Sequence, residues 1–197
     1  MNGPPVAAVD VGGTTIKGAV LDAAGGVLRE CSRPTPAAQG SDAVVSAVLE
    51  VVERLRAPEP AVEAGATPTA SGVPAAVGVV VPGVVDAAAG CAVYSANLGF
   101  RDVPLREIVQ RASGLPALLE HDVRAAGVAE QILGATAGVQ DYLLAVIGTG
   151  IAAVVCTGGQ RISRNKANFV NRCCVRCRTG WGDGYCANST CSNHICT

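Results

Sequence analysis

The stretch VAAVDVGGTTIKGAVLD, residues 6–22, decides how this chain is read. Val6–Val11 is apolar enough for a buried strand, and Thr15–Leu21 reads as its returning partner. Gly12-Gly13 is the turn between them, and Asp10 stands at the end of the first strand. Glycine lets backbone approach a ligand closely, and turn N–H groups can face an anion. Thr14 and Thr15 add hydroxyls, and a carboxylate such as Asp10 can hold a hydrated Mg²⁺. Together they suit a nucleotide polyphosphate with its metal. A tight hairpin with an incidental acid explains the same five residues about as well.

Working outward, the turn DAAGG leads to a third strand beginning at Gly25–Arg29, which makes an antiparallel meander. Ser41–Ala57 is the best helix: Val44, Val45, Val48, Leu49, Val52 and Leu55 form one apolar face, and Ser41 is placed to cap it. Residues 57–75 are a Pro/Ala-rich loop. A strand over Ala76–Val81 stops at Pro82-Gly83, and a short hairpin and a loop carrying Asn97 follow. Pro104–Ser113 is a helix, Ala117–Glu120 a strand, and Asp122–Leu133 a helix. Tyr142–Ile147 and Ile151–Cys156 form a second hairpin around Gly148-Thr149-Gly150. The order βββ-α-β-α-β-α-β-turn-β is a mixed α/β pattern.

A second Gly/Thr hairpin could grip phosphates from the opposite side of a cleft. Between the two, Asp122 follows a buried strand and opens a helix. It reads either as an N-cap or as a general base for phosphoryl transfer to an alcohol. Asn97 reads as a ligand for sugar hydroxyls or as an Asx-turn.

Taken in order, DVGGTTIKGAV, GVVVPGVVD, SANLGF, EHDVRAAGVAE and GTGIAAVV resemble the ROK family (repressor, open reading frame, kinase) of bacterial sugar kinases over about residues 6–158. That resemblance implies the ribonuclease H-like actin/hexokinase fold. The first lobe is expected over 1–121 and the start of a second over 122–158. It also implies transfer from Mg-ATP to a hexose, most often glucose. By resemblance Asp122 is the catalytic base and Asn97, His121 and Asp122 meet the sugar. Asp10, Gly12, Gly13, Thr14, Thr15 and Lys17, with Gly148, Thr149 and Gly150, serve ATP and Mg²⁺. Many members read Glu-Asn-Asp-Ala-Asn where this chain has Glu120-His121-Asp122-Val123-Arg124. The early phosphate motif argues against the DNA-binding N-terminus of the repressor branch. No nucleic-acid or membrane partner is expected, and the oligomeric state stays open.

Residues 158–197 differ in character. They carry a net charge of +5 against −6 for residues 1–157, and six of the nine cysteines. The sugar-binding and zinc motifs that the family would place here are not found, so a truncated kinase with an unrelated, disordered tail over 159–197 is expected. A zinc module built on Cys174, Cys177, Cys191 (or Cys196) and His194 is the alternative. Truncation would leave the second lobe with an open sheet edge and an exposed apolar face, and would put activity in doubt. No long apolar span or secretory signal appears, which makes the cytoplasm the default compartment.

Overall fold

Val6–Val11 (β1), Thr15–Leu21 (β2) and Val27–Pro34 (β3) form the expected meander. The computed structural model describes residues 3–57, 72–147 and 151–161. A single 3₁₀ turn, Ala37–Gln39, leads into α1, Ser41–Arg56. Then come β4 (Val77–Val81), β5 (Val84–Asp86), β6 (Cys91–Ser95) and β7 (Phe100–Val103). The helices α2 (Leu105–Ser113) and α3 (Asp122–Leu133) flank β8 (Ala117–His121). The chain continues through β9 (Tyr142–Ile147), β10 (Ile151–Thr157) and β11 (Gln160–Arg161).

The main sheet has the order β3-β2-β1-β4-β8, with β1, β4 and β8 parallel. Its pleat sorts residues by face. Ala7, Val77 and Ala117, then Val9, Val79 and Leu119, lie in cross-strand rows on the buried face. The adjacent row Asp10, Val80 and Glu120 points the other way. Period-two alternation thus puts the carboxylates of β1 and β8 on one side and the core on the other.

The buried face packs on α1, through Val44, Ala47, Val48, Val51, Val52 and Leu55. Val45 and Leu49 pack at the margin of this core. Burial of each Val or Leu contributes about 1.5–3 kcal/mol, which is why this helix holds its place. Ser41 does not cap it. Gly40 occupies the cap position and Ser41 is the first helical residue. At the other end Arg29 of β3 donates to the carbonyls of Leu55 and Gly72, closing the helix C-terminus from the sheet side.

Close packing of β2 on α1 depends on Gly18. A Cβ there would lie 2.7 Å from Val51 Cγ1 and 2.8 Å from Leu55 Cδ1. Gly18→Ala is expected to cost about 1–3 kcal/mol by overpacking. Urea denaturation checks this, and an unchanged midpoint would contradict the packing argument.

The segment read as a hairpin and loop is a three-stranded sheet, β5-β6-β7. The third strand escaped sequence reading because Phe100–Val103 is four residues long and only Phe100 is buried. Leu98 and Phe100, both fully buried, anchor the turn that carries Asn97.

The chain divides into two units, Met1–Ala137 and Gly138–Thr197. Helix α3, expected to open the second lobe, belongs to the first unit: it buries Val123 and Gly127 and contacts β4 and β8. In the second unit β9, β10 and β11 form an antiparallel sheet. Val154 and Cys156 are buried, while Leu143 and Ile147 are 66% and 78% exposed. Asp141 accepts from the Gly158 N–H and the Thr157 hydroxyl, both at 2.8 Å, and so pins the turn after β10. Those bonds hold the Asp141 carboxyl below its ordinary pKa. Gly148-Thr149-Gly150 and the tail residues Cys174, Cys177, Cys191, His194 and Cys196 lie outside the described residues.

Candidate active site

The parallel strands β1, β4 and β8 end at a common edge, where sequence-adjacent loops converge. In open α/β sheets, ligands gather at the carboxyl ends of the strands. Asp10 is the penultimate residue of β1, and Asp122 follows the last residue of β8. The two carboxylates are close enough to feel each other. Partial burial raises the Asp10 pKa, Asp122 raises it further, and Lys17 opposes the shift. Lys17 is exposed and is the cross-strand partner of Asp10.

A raised carboxyl pKa means that the folded state binds a proton more readily than the unfolded chain. Its contribution is therefore unfavourable above the folded pKa, and the penalty fades as pH falls toward 3.8, the unshifted value. Asp10→Asn is accordingly expected to raise Tm at pH 7, with the gain shrinking toward pH 4. Thermal melts across that range test it; a variant less stable at pH 7 would contradict the assigned shift.

The turn after β1 is built tightly. The Gly12 N–H donates to the Thr15 carbonyl at 3.0 Å, and a Cβ on Gly12 would sit 2.8 Å from that same oxygen. Thr35, just beyond β3, braces the turn twice. Its hydroxyl donates to the Gly12 carbonyl at 2.6 Å, and its N–H donates to the Thr14 carbonyl at 2.9 Å. Gly13 and Thr14 are left exposed at the tip. Gly13 also faces the sugar-loop candidate: its built Cβ would lie 3.5 Å from Asn97 Cβ and 4.0 Å from Asn97 Nδ2. Asp10, Asp122, Lys17, the Gly12–Thr15 turn and Asn97 thus share one edge of the first unit. Thr35 was not legible as a site residue, because its role is a bond to a turn 23 residues away.

Residues Glu120–Arg124 form a connected group. The Glu120 carboxylate accepts from the His121 N–H at 2.7 Å and pairs with Arg124 at 2.5 Å. Arg124 also donates to the Val85 carbonyl at 3.2 Å, tying α3 to the small sheet. The four-residue spacing of Glu120 and Arg124 was the available signal for that pair.

Asp122 is not an N-cap. His121 holds the cap position, with extended backbone, and Asp122 is the first helical residue. The Val123 N–H points at Asp122 Oδ1 (2.7 Å) and at His121 Nδ1 (3.2 Å). The sequence set His121 beside the sugar. The structure pairs it with Val81 at the end of β8, on the buried face, where it is 8% exposed. Burial pushes its pKa down, so the ring is neutral at pH 7.

The donor set fits Mg²⁺ bound to phosphates. A magnesium ion uses one or two carboxylates with water and phosphate oxygens, and the Asp10 carboxylate at the end of β1 supplies one. Among the described residues there is no cluster of three or more His, Cys, Asp or Glu for an all-protein metal cage.

The sequence matches the ROK family over residues 6–196. The chain belongs to the ROK family. The match runs past Val155, where the last of the five motifs ends. A relative, glucokinase from Streptomyces coelicolor, is 30% identical over 152 residues, which cover 77% of this chain and 43% of that protein. The ROK glucokinase from Streptomyces griseus, solved with glucose and AMPPNP, has a TM-score of 0.65 and 27% identity, covering 80% of this chain and 46% of that one. A putative xylose repressor from Caldicellulosiruptor sp. is 31% identical over 104 residues, 53% of this chain and 26% of that protein. The chain therefore spans less than half the length of these glucokinases. The mixed sheet order and its flanking helices are those of the ROK actin/hexokinase fold.

Proposed function

We propose that this chain belongs to an ATP-dependent hexose kinase of the glucokinase type, acting on glucose in the cytoplasm. One observation carries the reading: Asp122 opens α3 beside Asp10, at the sheet edge where the Gly12–Thr15 turn meets Asn97. In this reading Asp122 takes the proton of the sugar hydroxyl as its oxygen attacks the γ-phosphorus of ATP, and ADP leaves. Asn97 binds sugar hydroxyls. Gly12, Gly13, Thr14 and Thr15 line the phosphates with Lys17 nearby; Gly148, Thr149 and Gly150 are assigned to phosphate by the family motif alone. Asp10 holds the metal, which would neutralise phosphate charge. The glucokinases among its relatives support the choice of glucose and ATP. The test is glucose- and Mg-ATP-dependent ADP release by the purified protein, with the Asp122→Asn variant beside it. Equal turnover in the two would refute the catalytic assignment.

A second reading is a sugar-binding domain without turnover, favoured by the similarity to a putative xylose repressor. It is distinguished by thermal stabilisation with sugar in the absence of ADP release.

A further inference from the structure

His121 has no part in the reaction as described, yet it is a buried polar residue in contact with Asp122. Its Nδ1 lies 3.0 Å from Asp122 Oδ1. Both atoms face the single Val123 N–H, which is nearer the carboxylate oxygen, at 2.7 Å against 3.2 Å. A nitrogen lone pair and a carboxylate oxygen held 3.0 Å apart repel unless a proton lies between them. With Asp122 ionised, as a base must be, that proton is one on Nδ1. The Val123 N–H then belongs to the carboxylate alone.

We propose that His121 is a positioning residue for the base Asp122: a neutral imidazole whose Nδ1–H donates to Oδ1 and fixes the carboxylate orientation. This rests on the kinase reading. The Val123 N–H and the imidazole then both hold Oδ1, while Oδ2 carries no hydrogen bond among the described residues and is left for the sugar hydroxyl. The ring sits beside its cross-strand partner Val81, which is fully buried. Arg124 and Glu120 face the same group and hold each other in an ion pair. His121 therefore works from behind the carboxylate, on the core side, and does not touch the sugar.

The experiment reads the ring directly. In a His194→Gln background His121 is the one histidine left, and ¹⁵N NMR distinguishes its tautomers. The expected result is the Nδ1–H form, with a resonance that shifts in Asp122→Asn. An Nε2–H ring indifferent to Asp122→Asn would overturn the proposal. Kinetics supply the second arm. His121→Leu is expected to lower kcat on the order of 10- to 100-fold with little change in the KM for sugar, as for a misplaced catalytic group. His121→Asn is expected to recover most of that loss. A KM effect with kcat preserved would instead make His121 a sugar ligand and overturn the positioning role. Absent turnover with the Nδ1–H signal intact would overturn the kinase reading and keep the pair. Turnover with an Nε2–H ring would do the reverse.

Discussion

Asp122→Asn is expected to reduce hexose phosphorylation by about 10²- to 10⁴-fold, the usual contribution of a positioned general base. The substitution keeps the shape of the side chain and removes its ability to take a proton. The helix should survive it. His121, not Asp122, occupies the cap position of α3, and the helix is anchored by Val123 and Gly127. The amide also keeps an acceptor for the Val123 N–H, which now bonds Oδ1. The signature is a collapse of kcat with Tm and the sugar KM nearly unchanged. Steady-state ADP release and a thermal melt on the same preparation measure both. A loss of Tm in step with activity would mean that Asp122 holds the fold, and the assignment as base would fall.

The largest stability effect is expected at Gly83. Its φ of +110° is one that side-chain-bearing residues rarely adopt. A Cβ at that position would also lie 2.2 Å from the Tyr94 carbonyl oxygen and 3.0 Å from Ser95 Cα, both backbone atoms with little room to yield. Strain and overlap add, so Gly83→Ala is expected to cost about 3 kcal/mol or more. Gly114→Ala separates the two causes. Gly114 has a φ of +70° at the end of α2, but nothing lies within 4 Å of its built Cβ. It should cost only about 1–2 kcal/mol, for the left-handed backbone alone. Urea midpoints of the two variants give the comparison, and equal losses would refute the role of the Tyr94 carbonyl. The Gly83 effect bears on function as well. Val84 pairs with Tyr94, so displacing β5 disturbs the sheet whose β6–β7 turn presents Asn97 to Gly13.

Much of the first unit is legible in local pattern. β1, β2, α3 and β9 fall on the expected residues because each is a strong apolar period closed by glycine or by a polar start. Elements whose identity depends on partners were harder. β7 has four residues and one buried side chain, and only its pairing with β6 makes it a strand. The start of α1 misled because Ser41 is a good cap by type, while the chain enters the helix through Gly40. At the site, residue type and order identified Asp10, Asp122, Asn97 and the glycine turn. Their convergence was not available from the chain alone, nor was the brace from Thr35.

His121 marks the limit most sharply. Next to Asp122 in sequence, it invites a place beside the sugar. In a strand, however, consecutive side chains face opposite ways, and the pairing of His121 with the buried Val81 turns this one into the core. Local chemistry in the sequence by itself determined the ROK motifs, the α/β order and the acid that serves as candidate base. The tertiary structure alone decided which face each residue takes and which carboxylates share an edge. Strand register and cross-strand pairing set those positions, and both depend on residues far apart in the chain.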